Sequence, residues 1–517
     1  MKKILGIELG STRIKSVLID EAANVIAQGS YEWENVLIDG LWSYSLESVE
    51  KGLQASYAAL ASDYKARFGA ALTKIDAIGI SAMMHGYLAF DKDGKLLVPF
   101  RTWRNTNAEK AATELTKLFG FNVPMRWSVS HYYEAVLKNE PHVKDVNFLT
   151  TLSGYVHYKL TGNTVLGVGD ASGMFPIDCG NYDINMLKTF NSILTKNGIS
   201  TPFESLLPTV LSAGEDAGTL TEAGAIWLDP TGDLKAGVIL CPPEGDAGTG
   251  MVATNSVAVG TANVSAGTSA FLMAVMEKPL STYYKEIDIV TTPHGAPVAM
   301  VHVNNFASEI TAWANLFEEV ISLGGGKIDR SSLFGALYEK SSEADGACDG
   351  LIGYNFLAGE PIVGIARGIP LISRTPDTKL TLAGFMKMHI YSALGALSIG
   401  CDILDKEHVT ISTVVGHGGF FKTPKVGQSA MSAALGAPVT VMKNSAEGGA
   451  FGIALLAKFR LDNGGDLERY LCDIFRDTEK VTVSADEDEL NSFDSFMKKY
   501  KSGLAVEKLA SEVYYNA

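Results

Sequence analysis

Two short polar turns, each set between apolar strand candidates and lying almost half the chain apart, constrain this sequence most. Near the start, Ile4 to Leu9 is apolar enough for a short strand, Gly10-Ser11-Thr12 reads as a turn, and Ile14 to Ile19 supplies a second strand. Past the midpoint, Val257 to Val264 leads as a strand into Ser265-Ala266-Gly267-Thr268-Ser269, and Phe271 to Met276 follows as another strand. Gly267 lies 257 positions after Gly10 in a chain of 517 residues. A strand–turn–strand unit returning at that interval fits two homologous domains facing each other. Short Gly-Ser-Thr turns also arise independently of any repeat.

The rest of each half extends the pattern. Val25 to Trp33 suits a third strand. Ser45 can N-cap a helix whose apolar face is Leu46, Val49, Leu53, Tyr57 and Leu60. Ile75 to Ser81 reads as a buried strand ending at the loop Ala82-Met83-Met84-His85-Gly86, and Gly237 to Leu240 as another. In the second half a long helix is expected over Thr381 to Leu404, a strand over Val409 to Val415, and a helix rich in small residues from about Glu447 to Phe459. The acidic run Asp486 to Glu489 reads as a solvated surface.

Composition narrows the class of function. Hydrophobic residues at 46% and charged residues at 20% supply a large core. A net charge of −15 argues against a nucleic-acid or anionic-membrane partner, each of which needs a basic face. No stretch reaches the roughly 18 apolar residues of a transmembrane helix, and the run after Met1-Lys2-Lys3 is broken by Glu8 and Lys15, unlike a signal peptide. The five cysteines are scattered without a CxxC pair, so a reducing cytoplasm is the expected location.

Four segments carry candidate chemistry. In Glu8-Leu9-Gly10-Ser11-Thr12-Arg13-Ile14-Lys15, backbone N–H groups and hydroxyls of the turn can hold phosphate oxygens, Lys15 adds a cation, and Glu8 can hold Mg²⁺. In Cys241-Pro242-Pro243-Glu244-Gly245-Asp246-Ala247-Gly248-Thr249-Gly250, Asp246 sits between glycines at a strand end, where it can take a proton from a hydroxyl attacking phosphorus. Ser265 to Ser269 is a second phosphate-compatible turn. Val415-Gly416-His417-Gly418-Gly419 allows a base or ribose to lie against backbone, and Glu447-Gly448-Gly449-Ala450-Phe451-Gly452 then opens a closely packing helix. Taken singly, each also fits an ordinary turn or connection. No GxxxxGK(S/T) motif occurs. His131-Tyr132-Tyr133-Glu134 looks like a metal ligand set, but no further ligands accompany it, so it reads as surface or packing.

Taken in order, these segments resemble the FGGY carbohydrate kinase family, within the sugar kinase and actin superfamily. Glu8 to Lys15 is similar to its first phosphate motif, Val264 to Ser269 to the second, and Gly416 to Gly419 to the adenosine motif. Gly245-Asp246-Ala247 resembles the segment with the catalytic aspartate, and Met84-His85-Gly86 the Met-His-Gly of pentulose kinases. The resemblance runs from residue 1 to about 460. It implies an α/β fold of two ribonuclease-H-like (actin-like ATPase) domains, 1–256 and 257–517, around a central cleft binding ATP, Mg²⁺ and a sugar.

Carried over by position, Asp246 is the catalytic base and, with Glu8, a metal holder. Gly10, Ser11, Thr12, Lys15, Gly267 and Thr268 face the phosphates, and Gly418 and Gly419 the adenosine. Met84, His85 and Trp103 face the sugar. Three departures stand out: Glu8 replaces the usual Asp, Asn105 follows Trp103 where an Asp is common, and His417 breaks the glycine triplet ahead of Phe420-Phe421. The expected activity is ATP-dependent phosphorylation of a primary hydroxyl of a small ketose, a pentulose such as xylulose or ribulose. Alternatives are a kinase for a deoxy-ketose or a polyol such as glycerol, and a non-catalytic ATP-dependent switch. A homodimer is a family-level expectation.

Overall fold

Alternation along the first two strands divides their side chains between two cores. In β1 (Ile4–Leu9) and β2 (Arg13–Ile19), Leu5, Ile7, Leu9, Ile14 and Leu18 enter one cluster, while Ile4, Val17 and Ile19 enter another on the opposite face. The computed structural model describes residues 1–344, 346–423, 425–442 and 448–516. β3 (Val25–Glu32) completes an antiparallel meander with β1 and β2. Helix α1 (Leu46–Phe68) then returns across it. The Ser45 hydroxyl caps this helix by accepting the Ser48 N–H at 3.0 Å, and Val49, Leu53, Tyr57 and Leu60 are buried.

The crossover delivers β4 (Ala77–Ala82), buried at every residue and parallel to β1. β5 (Ile239–Leu240) and β6 (Glu244–Gly245) pair in parallel with β4, giving a six-stranded sheet. Helix α2 (Asp246–Ala253) springs directly from β6.

The second half repeats this plan. β7 (Thr261–Ala266), β8 (Ala270–Val275) and β10 (Pro297–Val303) form an antiparallel meander, with β9 (Ile287–Thr291) on its outer edge. The long helix α3 (Leu382–Lys406) crosses to β11 (Thr413–His417), which runs parallel to β7. Beyond it lie β12 (Val439–Met442), also parallel, and the antiparallel edge strand β13 (Lys480–Val483). Three antiparallel strands, a crossover helix and then parallel strands is thus the order in both sheets: two ribonuclease-H-like α/β units in one chain.

The second of the two clusters at β1 and β2 lies between the sheets and includes Ile4, Val17, Met251, Val252, Met273, Met300, Ile453 and Leu456. Helix α4 (Gly448–Leu461) belongs to it, and although it comes late in the chain it packs on β1 and β4 of the first sheet. Glycine makes that approach possible. A Cβ at Gly6 would lie 2.1 Å from the Ala450 carbonyl oxygen, and one at Gly79 2.5 Å from that of Ile453.

Several expectations need correction. β7 starts at Thr261, not Val257, because the chain turns at Ala258–Thr261, with Gly260 at φ 79° and the Thr261 N–H on the Ala258 carbonyl at 3.0 Å. β11 starts at Thr413, not Val409, since the Val409 N–H still closes the end of α3 on Leu404 at 2.9 Å. β5 is limited to two residues. The acidic run is exposed at Asp486, Glu487 and Asp488, as expected, and only Glu489 departs, pairing with a largely buried Lys387 at 3.3 Å; Asp486 accepts the Glu489 N–H at 2.8 Å at the start of the terminal helix. α3 is, among the described residues, the one helix long and apolar enough to cross a membrane, where none was expected. Of its most apolar 18-residue window, 72% is buried inside the protein. Glu447, the expected start of α4, lies outside the described residues. His131 and Tyr132 are buried packing residues, and no cluster of three or more metal-ligating side chains occurs among the described residues. All five cysteines are free.

Candidate active site

The turns at Gly10-Ser11-Thr12 and Gly267-Thr268-Ser269 are built alike. In the first, the carbonyls point inward. Gly10 O accepts the Trp33 indole N–H at 2.7 Å, Ser11 O accepts the Tyr44 hydroxyl at 2.6 Å, and Thr12 O accepts the Trp33 N–H at 3.1 Å. Trp33 and Tyr44 stack at 4.2 Å, so this support is rigid. Thr12 is left exposed, and the Ser11 hydroxyl accepts the Trp103 indole N–H at 3.3 Å. Trp103, itself 39% exposed, therefore joins the first turn.

In the second turn, Thr268 O accepts the Phe306 N–H at 2.9 Å and Gly267 O the Ala307 N–H at 3.2 Å, while Gly267 and Thr268 are exposed. The Gly10 and Gly267 N–H groups close their own turns on the Arg13 and Ser269 carbonyls, at 3.0 and 2.9 Å. With the other carbonyls turned into the protein, the N–H and hydroxyl groups that follow are what each turn can offer outward, the polarity an anion needs. Gly418 packs directly behind the second turn. Its φ is 105°, and a Cβ there would meet the Ala266 carbonyl oxygen at 2.3 Å, so glycine is required both for torsion and for space. Gly419 is exposed beside it.

The acids gather where β1, β4 and β6 end, the C-terminal edge of a parallel sheet where ligands of α/β proteins bind. Leu9 and Gly245 both register with Ala82. Asp246 opens α2, and its Oδ1 accepts the Met84 N–H at 3.1 Å. Burial raises its pKa, while N–H groups from Met84 and Ala247 oppose the shift. Glu8 lies across the strand pair from Lys15 and faces the N-terminus of α4. Its carboxyl is raised to about 7, by burial first and the Asp246 charge second; Lys15 and the N–H groups of Ala450 and Gly449 pull the other way. Glu8, half-buried like Asp246, thus feels the Asp246 charge at the mouth of the sheet.

The Met84-His85-Gly86 loop follows β4. His85 sits at φ 69° and Gly86 at φ 101°. The buried His85 ring lies 6.4 Å from Trp127 in a stacked orientation, with Nδ1 3.4 Å from the Gly173 carbonyl oxygen. Burial and the charge of Arg126 hold its pKa well below 6.5. The imidazole is neutral.

Two further carboxylates stand behind Asp246, unanticipated in the sequence. Glu244 accepts the N–H groups of Gly169 (3.2 Å) and Asp170 (2.9 Å), and a Cβ at Gly167 would lie 2.1 Å from its Oε1. Asp170 accepts the hydroxyls of Thr151, at 2.6 Å, and Ser153. Burial pushes both acids upward. The available signals were Glu244 two residues before Asp246 and the glycines flanking Asp170, but neither shows that two segments 74 residues apart meet.

The chain as a whole resembles known proteins. The family pattern described as the N-terminal domain of the FGGY family of carbohydrate kinases matches residues 3–231, and the C-terminal domain pattern matches residues 262–461. The chain is 26% identical to the xylulose kinase of Bacillus subtilis over 242 residues, 43% of this chain and 44% of that relative, so the match spans less than half of its length. With the xylulose kinase of Haemophilus influenzae it shares 22% over 488 residues, 91% of this chain and 93% of the relative. A crystal structure of a xyloylose kinase from Brucella ovis superposes with a TM-score of 0.79 at 19% identity, covering 98% of this chain and 99% of that one, which shows a common fold. With both halves of the family pattern present in order, and each half carrying its own ribonuclease-H-like sheet, the chain belongs to the FGGY family of carbohydrate kinases.

Proposed function

We propose that the protein transfers the γ-phosphoryl group of ATP to a primary hydroxyl of a small ketose, with a pentulose such as xylulose or ribulose as acceptor. The observation that carries this reading is the hydrogen bond between the Asp246 carboxylate and the Met84 N–H, which joins a half-buried base to the loop bearing His85. The xylulose kinase names of the relatives support the same substrate class.

Asp246 accepts the hydroxyl proton as the sugar oxygen attacks phosphorus. Burial makes it more basic, and the Met84 and Ala247 N–H groups keep it oriented. A neutral His85 that carries its proton on Nδ1, toward Gly173, leaves Nε2 to accept from a sugar hydroxyl. Met84 and Trp103 complete the sugar side. Gly10, Ser11, Thr12 and Lys15 hold phosphates from one unit, Gly267 and Thr268 from the other, and Gly418 and Gly419 support the adenosine. Residues 1–256 and 257–517 act as the two units, and their closure excludes water.

The acid pair fits a divalent cation, because burial raises both carboxyls and the Asp246 charge raises Glu8 further, leaving them in want of positive charge. Mg²⁺ would be held by Glu8 and Asp246, and when bound it neutralises charge on the phosphate oxygens.

An ADP-release assay over ketopentoses, ketohexoses and polyols tests the reading. A ketopentose is expected to give the highest kcat/KM, and Asp246→Asn to lower kcat by roughly 10²–10⁴-fold with ADP binding retained. Near-parental turnover in that variant refutes the base assignment. ATP hydrolysis indifferent to every sugar refutes the acceptor class.

A further inference from the structure

The loop that holds the base does not hold itself. His85 and Gly86 both have positive φ, free for glycine but costly for a residue with a Cβ, so the His85 geometry must be imposed by neighbours. Those neighbours are Arg126 to Ser128. The Gly86 N–H bonds the Arg126 carbonyl at 3.1 Å, the Ser128 hydroxyl bonds the Gly86 carbonyl at 2.5 Å, and the Trp127 ring stacks on His85.

Arg126 is in turn fixed from the other half of the chain. Its guanidinium forms an ion pair with Asp288 Oδ2 on β9, the edge strand of the second sheet. Asn122, four residues earlier, donates to Asp288 Oδ1 at 2.8 Å and to the Ile287 carbonyl at 3.0 Å. Both oxygens of one carboxylate are therefore occupied by a single N-terminal segment. The Arg126 and Asp288 side chains are 23% and 13% exposed, so water screens the pair only weakly. Arg126 also lies near His85 and His302, and burial keeps both rings neutral, leaving Asp288 as its counter-ion among these groups.

We propose that Arg126 is a positioning residue for phosphoryl transfer: latched to Asp288 across the two halves, it sets the Met84-His85-Gly86 loop and, through the Met84 N–H, the direction of the Asp246 carboxylate. The latch exists only where the two halves are docked, so docking is transmitted to the base. The inference rests on the reading of Asp246 as that base.

Asp288→Asn weakens the pair while keeping its size. It is expected to raise the ketose KM at least tenfold and to lower kcat, leaving the ATP KM within twofold. A merely structural role would reduce the active fraction and lower kcat without moving the ketose KM. Asn122→Ser, which removes the second arm without touching a charge, is expected to shift the ketose KM in the same direction by about threefold. Hydrogen exchange provides a readout independent of substrate: in the ligand-free protein, Asp288→Asn should speed exchange of the Met84 to Tyr87 amides at least tenfold. A ketose KM within twofold of the parent in both variants overturns the latch. If the parent phosphorylates no ketose, the proposed function fails, and unchanged exchange at Met84 to Tyr87 would then overturn the latch separately.

Discussion

Replacing Glu8 by glutamine removes the charge from one of two neighbouring half-buried acids while keeping the side chain's length and one of its two accepting oxygens. In the folded chain, burial and then the Asp246 charge raise this carboxyl from the ordinary 4.5 to about 7. A carboxyl raised on folding binds its proton more tightly in the folded than in the unfolded state. The folded state is accordingly unpenalised below pH 4.5, loses stability as the pH climbs through 4.5 to 7, and carries the full cost above that window. At about 1.36 kcal/mol per pH unit the cost is about 3 kcal/mol. Glutamine is neutral throughout and escapes it. Urea unfolding in EDTA should therefore find Glu8→Gln about 3 kcal/mol more stable than the parent at pH 8, with the gap below about 1 kcal/mol at pH 5. Millimolar Mg²⁺ should narrow the gap at pH 8. A difference of equal size at both pH values would refute the reasoning, because it would mean that the substitution acts through packing and not through charge.

Two other outcomes follow from the same region. A Cβ at Gly452 would lie 1.9 Å from the Thr249 carbonyl oxygen, a backbone atom of α2 that cannot swing away, so Gly452→Ala should destabilise by about 1–3 kcal/mol or more in urea unfolding; an unchanged midpoint would contradict the close crossing of α2 and α4. His85 is held neutral by burial and by Arg126, so the ketose KM should show no inflection from this residue between pH 6 and 8. An inflection near 6.5 that disappears in His85→Gln would contradict that.

Much of the local architecture was legible. The strands around Gly10-Ser11-Thr12 and Gly267-Thr268-Ser269, the Ser45 cap and the helix over Thr381 to Leu404 all announce themselves through period-2 or period-3.6 burial and through residues whose turn chemistry is local. Apolar runs overshot where the chain turns without a polar cluster. Val257 to Gly260 and Val409 to Ser412 have strand-like composition, but Gly260 and the end of α3 bend them out of the sheet.

What the sequence determined by itself is which residues make strands, turns and caps, since those depend on neighbours a few positions away. Which distant groups meet was decided by the tertiary structure alone. Burial periodicity says that a face is covered but not what covers it, so nothing local reveals that α4 lies on the first sheet, that Glu244 sits beneath Asp170, or that Arg126 finds Asp288 162 residues away. Carboxyl ionisation at this site belongs to the same category. Its size is set by through-space distance and by exclusion of water, and both come into being only when the two halves have packed against each other.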